Sequence, residues 1–195
     1  MANRVTVDMT PSWRNGRAPA PGELDMRRLK EAIHYISANS TPADRLGSVK
    51  LNKILYYADM LNYAEAGVPL TGATYVKRQR GPVPKQVLDA IDELKAEKRL
   101  IVEDVSIFDF VKRDFTPLGE TDISVFNGTE IERINRAMKF VSPMTADEVS
   151  DLTHTIVWNA AEMGEELPYD AFFVSVLGEA TEADTKAVEA RLAKR

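Results

Sequence analysis

The 195-residue sequence contains no cysteine. That removes disulfides, thiolate nucleophiles and cysteine-based zinc sites, and it fits a reducing compartment, so a cytoplasmic location is expected. Only 2 histidines are present, His34 and His154, too far apart in sequence to form a local metal motif. No apolar run approaches the roughly 20 residues that a spanning helix needs, and the N-terminus has no apolar signal core, so no membrane role is expected. The excess of acid over base, a net charge of −5, gives no global attraction to phosphate backbones. No cofactor motif stands out. Nucleic-acid binding would need a local basic face.

What is present is enough for one ordinary core: 44% of the residues are apolar. Residues 1–22 carry Pro11, Pro19, Pro21 and Gly16 with only a short alternation at Val5 and Val7, so they read as a flexible N-terminal arm. Trp13 in that arm is a candidate anchor for a partner. From Asp25 to Asn39 the residues Met26, Leu29, Ile33 and Ile36 step by three and four, the period of an amphipathic helix. His34, beside Ile33 on its border, is expected at the surface or an edge.

The stretch from Lys50 to Val87 organises the chain. Leu51, Ile54, Leu55, Ala58 and Leu61 form one helical stripe, with Ser48 expected as N-cap and Gly67 as the terminator, followed by Pro69. Tyr56, Tyr57 and Tyr63 add aromatic area for the core. Lys50 and Lys53 sit near the N-terminal end, where a cation opposes the helix dipole, so either one of them pairs with a carboxylate of the domain or of a partner, or they are solvated charge. An extended piece from Ala73 to Arg78 leads to Arg80-Gly81-Pro82-Val83-Pro84, and a new helix is expected from Pro84, where a missing N–H is harmless. Val87, Leu88, Ile91 and Leu94 supply its stripe.

Leu100–Val105 and Ile107–Phe115 read as two short strands joined near Ser106. Helix followed by β-ribbon suggests a winged helix, and Lys77, Arg78, Arg80, Lys85, Lys112 and Arg113 are nearby. Asp89, Asp92, Glu93, Glu103, Asp104 and Asp109 lie in the same segments and would repel phosphates, which argues against DNA. Ile131, Ile134, Met138 and Val141 mark a fourth helix capped by Asn127 or Thr129. Thr145-Ala146-Asp147-Glu148 is a capping box opening a helix with Val149, Leu152, Ile156 and Ala160 that Gly164 closes. His154 and Trp158, four apart, share a face of it. His154 is the one candidate general base, though no nucleophile or metal accompanies it. Glu165 to Tyr169 reads as a turn, Asp170 can cap a short helix with Phe173, Val176 and Leu177, and residues 181–195 read as a surface helix or tail.

Three runs, KLNKILYYADMLNYAEAGVPL, RGPVPKQV and LTHTIVWNAAEMGEELPYDAF, resemble the Panacea domain of SocA-like antitoxins, a family that also includes phage-associated proteins. The resemblance rests on Lys50, Leu51, Lys53, Ile54, Leu55, Tyr56, Tyr57 and Ala58, then Gly81, Pro82 and Val83, then Thr153, His154, Trp158, Gly164, Glu165, Pro168 and Tyr169. These span about Met26 to Leu177 in the family's order. Two positions depart: Arg80 stands where an aromatic is common, and Leu167 replaces isoleucine. The expected fold is mainly α (α+β), a compact single domain over residues 23–180 with five to six helices and one small β-hairpin. The resemblance implies a non-enzymatic antitoxin that binds a cognate toxin encoded by a neighbouring gene. Its candidate contacts are Trp13, Lys77, Arg78, Arg80, Lys85, His154 and Trp158, whereas Lys50, Leu51, Lys53, Leu55, Tyr56, Tyr57, Gly81, Pro82, Pro168 and Tyr169 are expected to be mainly structural. A winged-helix regulator and a hydrolase using His154 are the alternatives.

Overall fold

A computed structural model describes residues 20–107, 110–170 and 172–173. Residues 1–19 of the N-terminal arm, with Trp13, and the stretch 181–195 lie outside the described residues. So do Val176 and Leu177 of the expected last helix.

Asp25 caps the first helix, α1 (Met26–Ala38), by accepting from the Arg28 N–H. Leu29, Ala32, Ile33 and Ile36 are fully buried along it, as the three–four spacing demands. His34 is buried too, contrary to the expectation of an edge residue. Its Nε2 donates to the Leu118 carbonyl (3.1 Å), which leaves Nδ1 to accept from the Thr121 hydroxyl (2.7 Å). A residue bordering the stripe is covered because the loop after the β-ribbon folds over it.

The central helix, α2 (Ser48–Ala66), ends at Gly67 in the left-handed conformation (φ 73°). Ser48 is its first helical residue rather than its cap; Gly47 occupies the cap position with no side-chain bond. Leu51, Ile54, Leu55 and Ala58 are buried as predicted, but so are Lys50, Lys53, Asp59 and Asn62 on the other sides. The helix is therefore enclosed by α4 (Gly128–Val141), α5 (Ala146–Leu152) and the β-sheet rather than lying on a surface. Asn127 caps α4 in a capping box with Glu130, and Thr145 caps α5 in another with Glu148.

Two sheets are present where one hairpin was expected. The first has the order β2-β1-β5, from β1 (Tyr75–Arg78), β2 (Gly81–Pro84) and β5 (Glu166–Leu167). Tyr75 stands opposite Pro84 on one side and Leu167 on the other. Pro84 thus ends a strand, and α3 (Val87–Ala96) starts three residues later with Gln86 at its cap. The X-Pro constraint favours extended backbone as strongly as it favours a helix start, and pairing to β1 decides between them. Glu165 to Tyr169 is likewise not a simple turn: the edge of β1 recruits Glu166 and Leu167 as a strand.

The second sheet pairs β3 (Leu100–Ile107) with β4 (Phe110–Pro117), so the strands meet beyond Ser106 rather than at it. Leu100 and Phe115 reach the core, whereas Asp104, Val105 and Val111 near the far end are exposed. On α3 the buried residues are Val87, Ala90, Ile91 and Leu94, and Leu88 is 60% exposed. The single helix expected over 149–160 is broken: α5 ends at Leu152 and α6 (Ile156–Ala160) begins behind its own cap, Thr155. Thr155 accepts from the Trp158 N–H, a local bond that competes with continuing the helix. The break leaves Leu152 and Ile156 exposed, at 53% and 75%.

The fold is α+β and mainly helical, with its core between α1, α2, α3 and α4. A second cluster of Tyr56, Met60, Tyr75, Leu167 and Tyr169 joins α2 to the three-stranded sheet through edge-to-face ring contacts.

Candidate functional site

Lys53, Gly81, Pro82 and Thr153 of the motif converge where α2, the β1–β2 hairpin and the end of α5 meet. Lys53 is 1% exposed, and its Nζ donates to the Pro82 carbonyl (3.0 Å). Burial pushes its pKa down to about 7. Lys50 Nζ donates to the Asp44 and Ser142 carbonyls (2.6 and 2.9 Å), tying the start of α2 to the α4–α5 linker. Among the described residues neither lysine pairs with a carboxylate, and both are buried rather than left in solvent. Both donate to backbone carbonyls of other segments instead.

Gly81 lies directly on this junction. Its φ is 96°, and a Cβ there would collide with Thr153 Oγ1 and Lys53 Nζ. The glycine is required by backbone geometry and by close approach at once. Thr153 in turn donates to the Ser150 carbonyl (2.8 Å), so the hairpin, the central helix and the end of α5 share one tightly packed point.

A second polar cluster sits opposite, around Asp59, which is fully buried. It accepts from Thr71 N–H (2.6 Å), Thr71 Oγ1 (2.5 Å) and Tyr75 Oη (2.8 Å). Burial raises its pKa, and the three donors act against that. Tyr169 Oη donates to the Ala73 carbonyl (2.7 Å) close by. Asp59 was not singled out from sequence, although an acid amid helix apolars is the available signal for a satisfied buried acceptor.

The contact candidates divide. His154 and Trp158 stack at 3.8 Å with an interplanar angle of 16°, and Lys77 Nζ lies 4.1 Å above the Trp158 ring. Lys77 also donates to the Ala161 carbonyl (2.9 Å), so β1 and α6 present one aromatic–cation platform. The pKa of His154 is lowered, first by burial and then by Lys53 and Lys77. Its Nδ1 is 3.9 Å from the exposed Asp151 carboxylate. Arg80 points elsewhere, toward Asp147 at 3.3 Å, and Lys85 pairs with Glu166 on β5 at 3.2 Å. Arg78 is exposed at the end of β1. Pro168 is exposed, unlike Pro82 and the other motif positions in the core.

Lys53 carries a testable pH signature. Between pH 7 and 10.5 the unfolded chain holds a proton on this amine that the folded chain lacks, so stability rises with pH across that window. Below pH 7 both states are protonated and the whole burial cost stands. The span corresponds to at most about 5 kcal/mol. Urea unfolding at pH 7 and pH 9.5 should show the wild type gaining stability relative to Lys53→Met. Parallel pH dependence of the two proteins would mean that Lys53 stays charged in the fold.

Among the described residues no group of three or more histidine, aspartate or glutamate side chains could hold a metal ion, and no helix is long and apolar enough to cross a membrane. The geometry defines a small α+β module in which buried Lys53 and Gly81 lock a hairpin against a central helix, with basic and aromatic residues left on its surface. The chain matches the model of the Antitoxin SocA-like, Panacea domain over residues 51–159, more than half its length, and belongs to that family. No curated protein and no solved structure matches it.

Proposed function

We propose that this protein is the antitoxin of a toxin–antitoxin pair, a non-enzymatic cytoplasmic protein that neutralises a toxin encoded by a neighbouring gene through direct binding. The family match carries the reading. The burial of the motif residues supports it: Leu51, Lys53, Leu55, Tyr56 and Gly81 hold the fold, leaving partner recognition to the exposed residues around them. Lys77, Arg78, Arg80 and Lys85 on the hairpin, the outer side of the His154–Trp158 stack and Trp13 of the arm are the contacts we assign. A DNA-reading role is disfavoured by α3, whose exposed face carries Asp89, Asp92 and Glu93 where a recognition helix needs cations.

Co-expression with the product of the adjacent gene should restore growth and yield a complex that co-purifies. Arg80→Ala or Trp13→Ala should weaken rescue by about 2 kcal/mol of binding each while the thermal melt stays unchanged, since aromatic and arginine anchors dominate such interfaces. Persistent toxicity beside soluble, folded protein would overturn the reading.

A further inference from the structure

Between the start of α2, the β3–β4 ribbon, the β1–β2 turn and the α4–α5 linker lies an open groove of about 860 Å³. Five cationic side chains line it, Arg45, Lys50, Arg80, Lys112 and Arg113, against one carboxylate, Asp104. Three of the five are paired with carboxylates, so in a chain of net charge −5 the groove's unpaired positive charge, among the described residues, is that of Arg45 and Lys50. The groove is assembled from segments distant in sequence, which is why no run of basic residues announces it.

The cations differ in how they are held. Lys50 is fixed by two carbonyls and supplies charge at the floor. Lys112 pairs with Asp114 (2.5 Å), Arg113 with Asp104 (3.2 Å) and Arg80 with Asp147 (3.3 Å). In the last two pairs both side chains are at least two-fifths exposed, so solvent screens each pair and an incoming carboxylate can replace its acid. Arg45 is exposed and held in the left-handed region at φ 50°, and no carboxylate pairs with it among the described residues. Val111, 70% exposed, and Met144 add apolar surface to the same groove.

We infer that this groove is a docking site for an acidic segment of a partner protein, its carboxylates meeting Arg45, Lys112 and Arg80 and an aliphatic side chain lying on Val111 and Met144. The volume is that of a ligand site, and the mixture of cations with apolar wall fits a peptide better than a bare phosphate. That the partner is the toxin rests on the function proposed above; the chemistry of the groove does not.

The test uses the full chain and a short fluorescein-labelled peptide of repeated Glu-Glu-Leu, with sodium triphosphate and a random duplex DNA as competitors. The peptide should bind with an affinity that falls as salt rises. It should weaken about tenfold or more in the double variant Arg45→Glu, Lys112→Glu, and recover in Arg45→Lys, Lys112→Arg. The same charge reversal should remove the co-purifying neighbour while the melt holds. Unchanged peptide affinity in the reversed variant overturns the inference, as does tighter binding of triphosphate or duplex than of peptide. If the neighbour co-purifies equally with the reversed variant, the toxin is overturned as the groove's occupant and the antitoxin reading stands. If the peptide binds as expected but the neighbour never co-purifies, the groove stands and the antitoxin reading fails.

Discussion

Arg28→Met is expected to lower the free energy of unfolding by about 3–5 kcal/mol, because it leaves a buried carboxylate without its cation. Arg28 is 1% exposed, and every arm of its guanidinium is used. Nε donates to the Leu70 carbonyl, Nη1 to the Val125 carbonyl and Nη2 to Glu130 Oε1, each at 2.6 Å. The guanidinium carbon also lies 4.8 Å from the centre of the Phe126 ring. One side chain therefore joins α1, the segment after α2 and the start of α4. Methionine fills much of the volume but orphans two carbonyls and Glu130, which is 7% exposed. Urea unfolding reads the loss. Adding Glu130→Gln should recover part of it, since the stranded charge is then gone, although the bond from Asn127 N–H to Glu130 Oε2 is weakened. A loss under about 1 kcal/mol would mean that water enters and solvates the cluster.

Gly81→Ala should cost about 2–4 kcal/mol, combining positive-φ strain with displacement of Lys53 and Thr153. Gly67→Ala is the internal comparison. Gly67 has a similar φ of 73° but nothing within 4 Å of an added Cβ, so its loss should be only about 1 kcal/mol. The difference between the two isolates the close approach from the backbone preference. Because Gly81 touches Thr153 at the α5–α6 junction, Gly81→Ala should also shift the tryptophan fluorescence of Trp158 beyond that break, whereas Gly67→Ala should not. Equal losses at the two glycines would mean that the Lys53 and Thr153 side chains move aside freely.

By itself the sequence determined the helices α1, α2 and α4, the capping box at Thr145, a cap for α4 at Asn127 or Thr129, and the stop at Gly67. Each is written in contacts between residues three or four apart, or in one residue's own backbone preference. The motif residues were equally legible as a family pattern. The tertiary structure decided what those residues do. Lys50 and Lys53 became donors to distant carbonyls, and His34 was covered by the loop at Leu118 to Thr121. Glu166 and Leu167 became a strand only because β1 had an open edge. Pro84 could begin a helix or end a strand, and pairing with Tyr75 chose the strand. The basic groove is the extreme case, since Arg45, Arg80 and Lys112 come from three separate segments. Charge and hydrogen-bonding partners are long-range properties. They depend on which segments meet, and local periodicity carries no information about that.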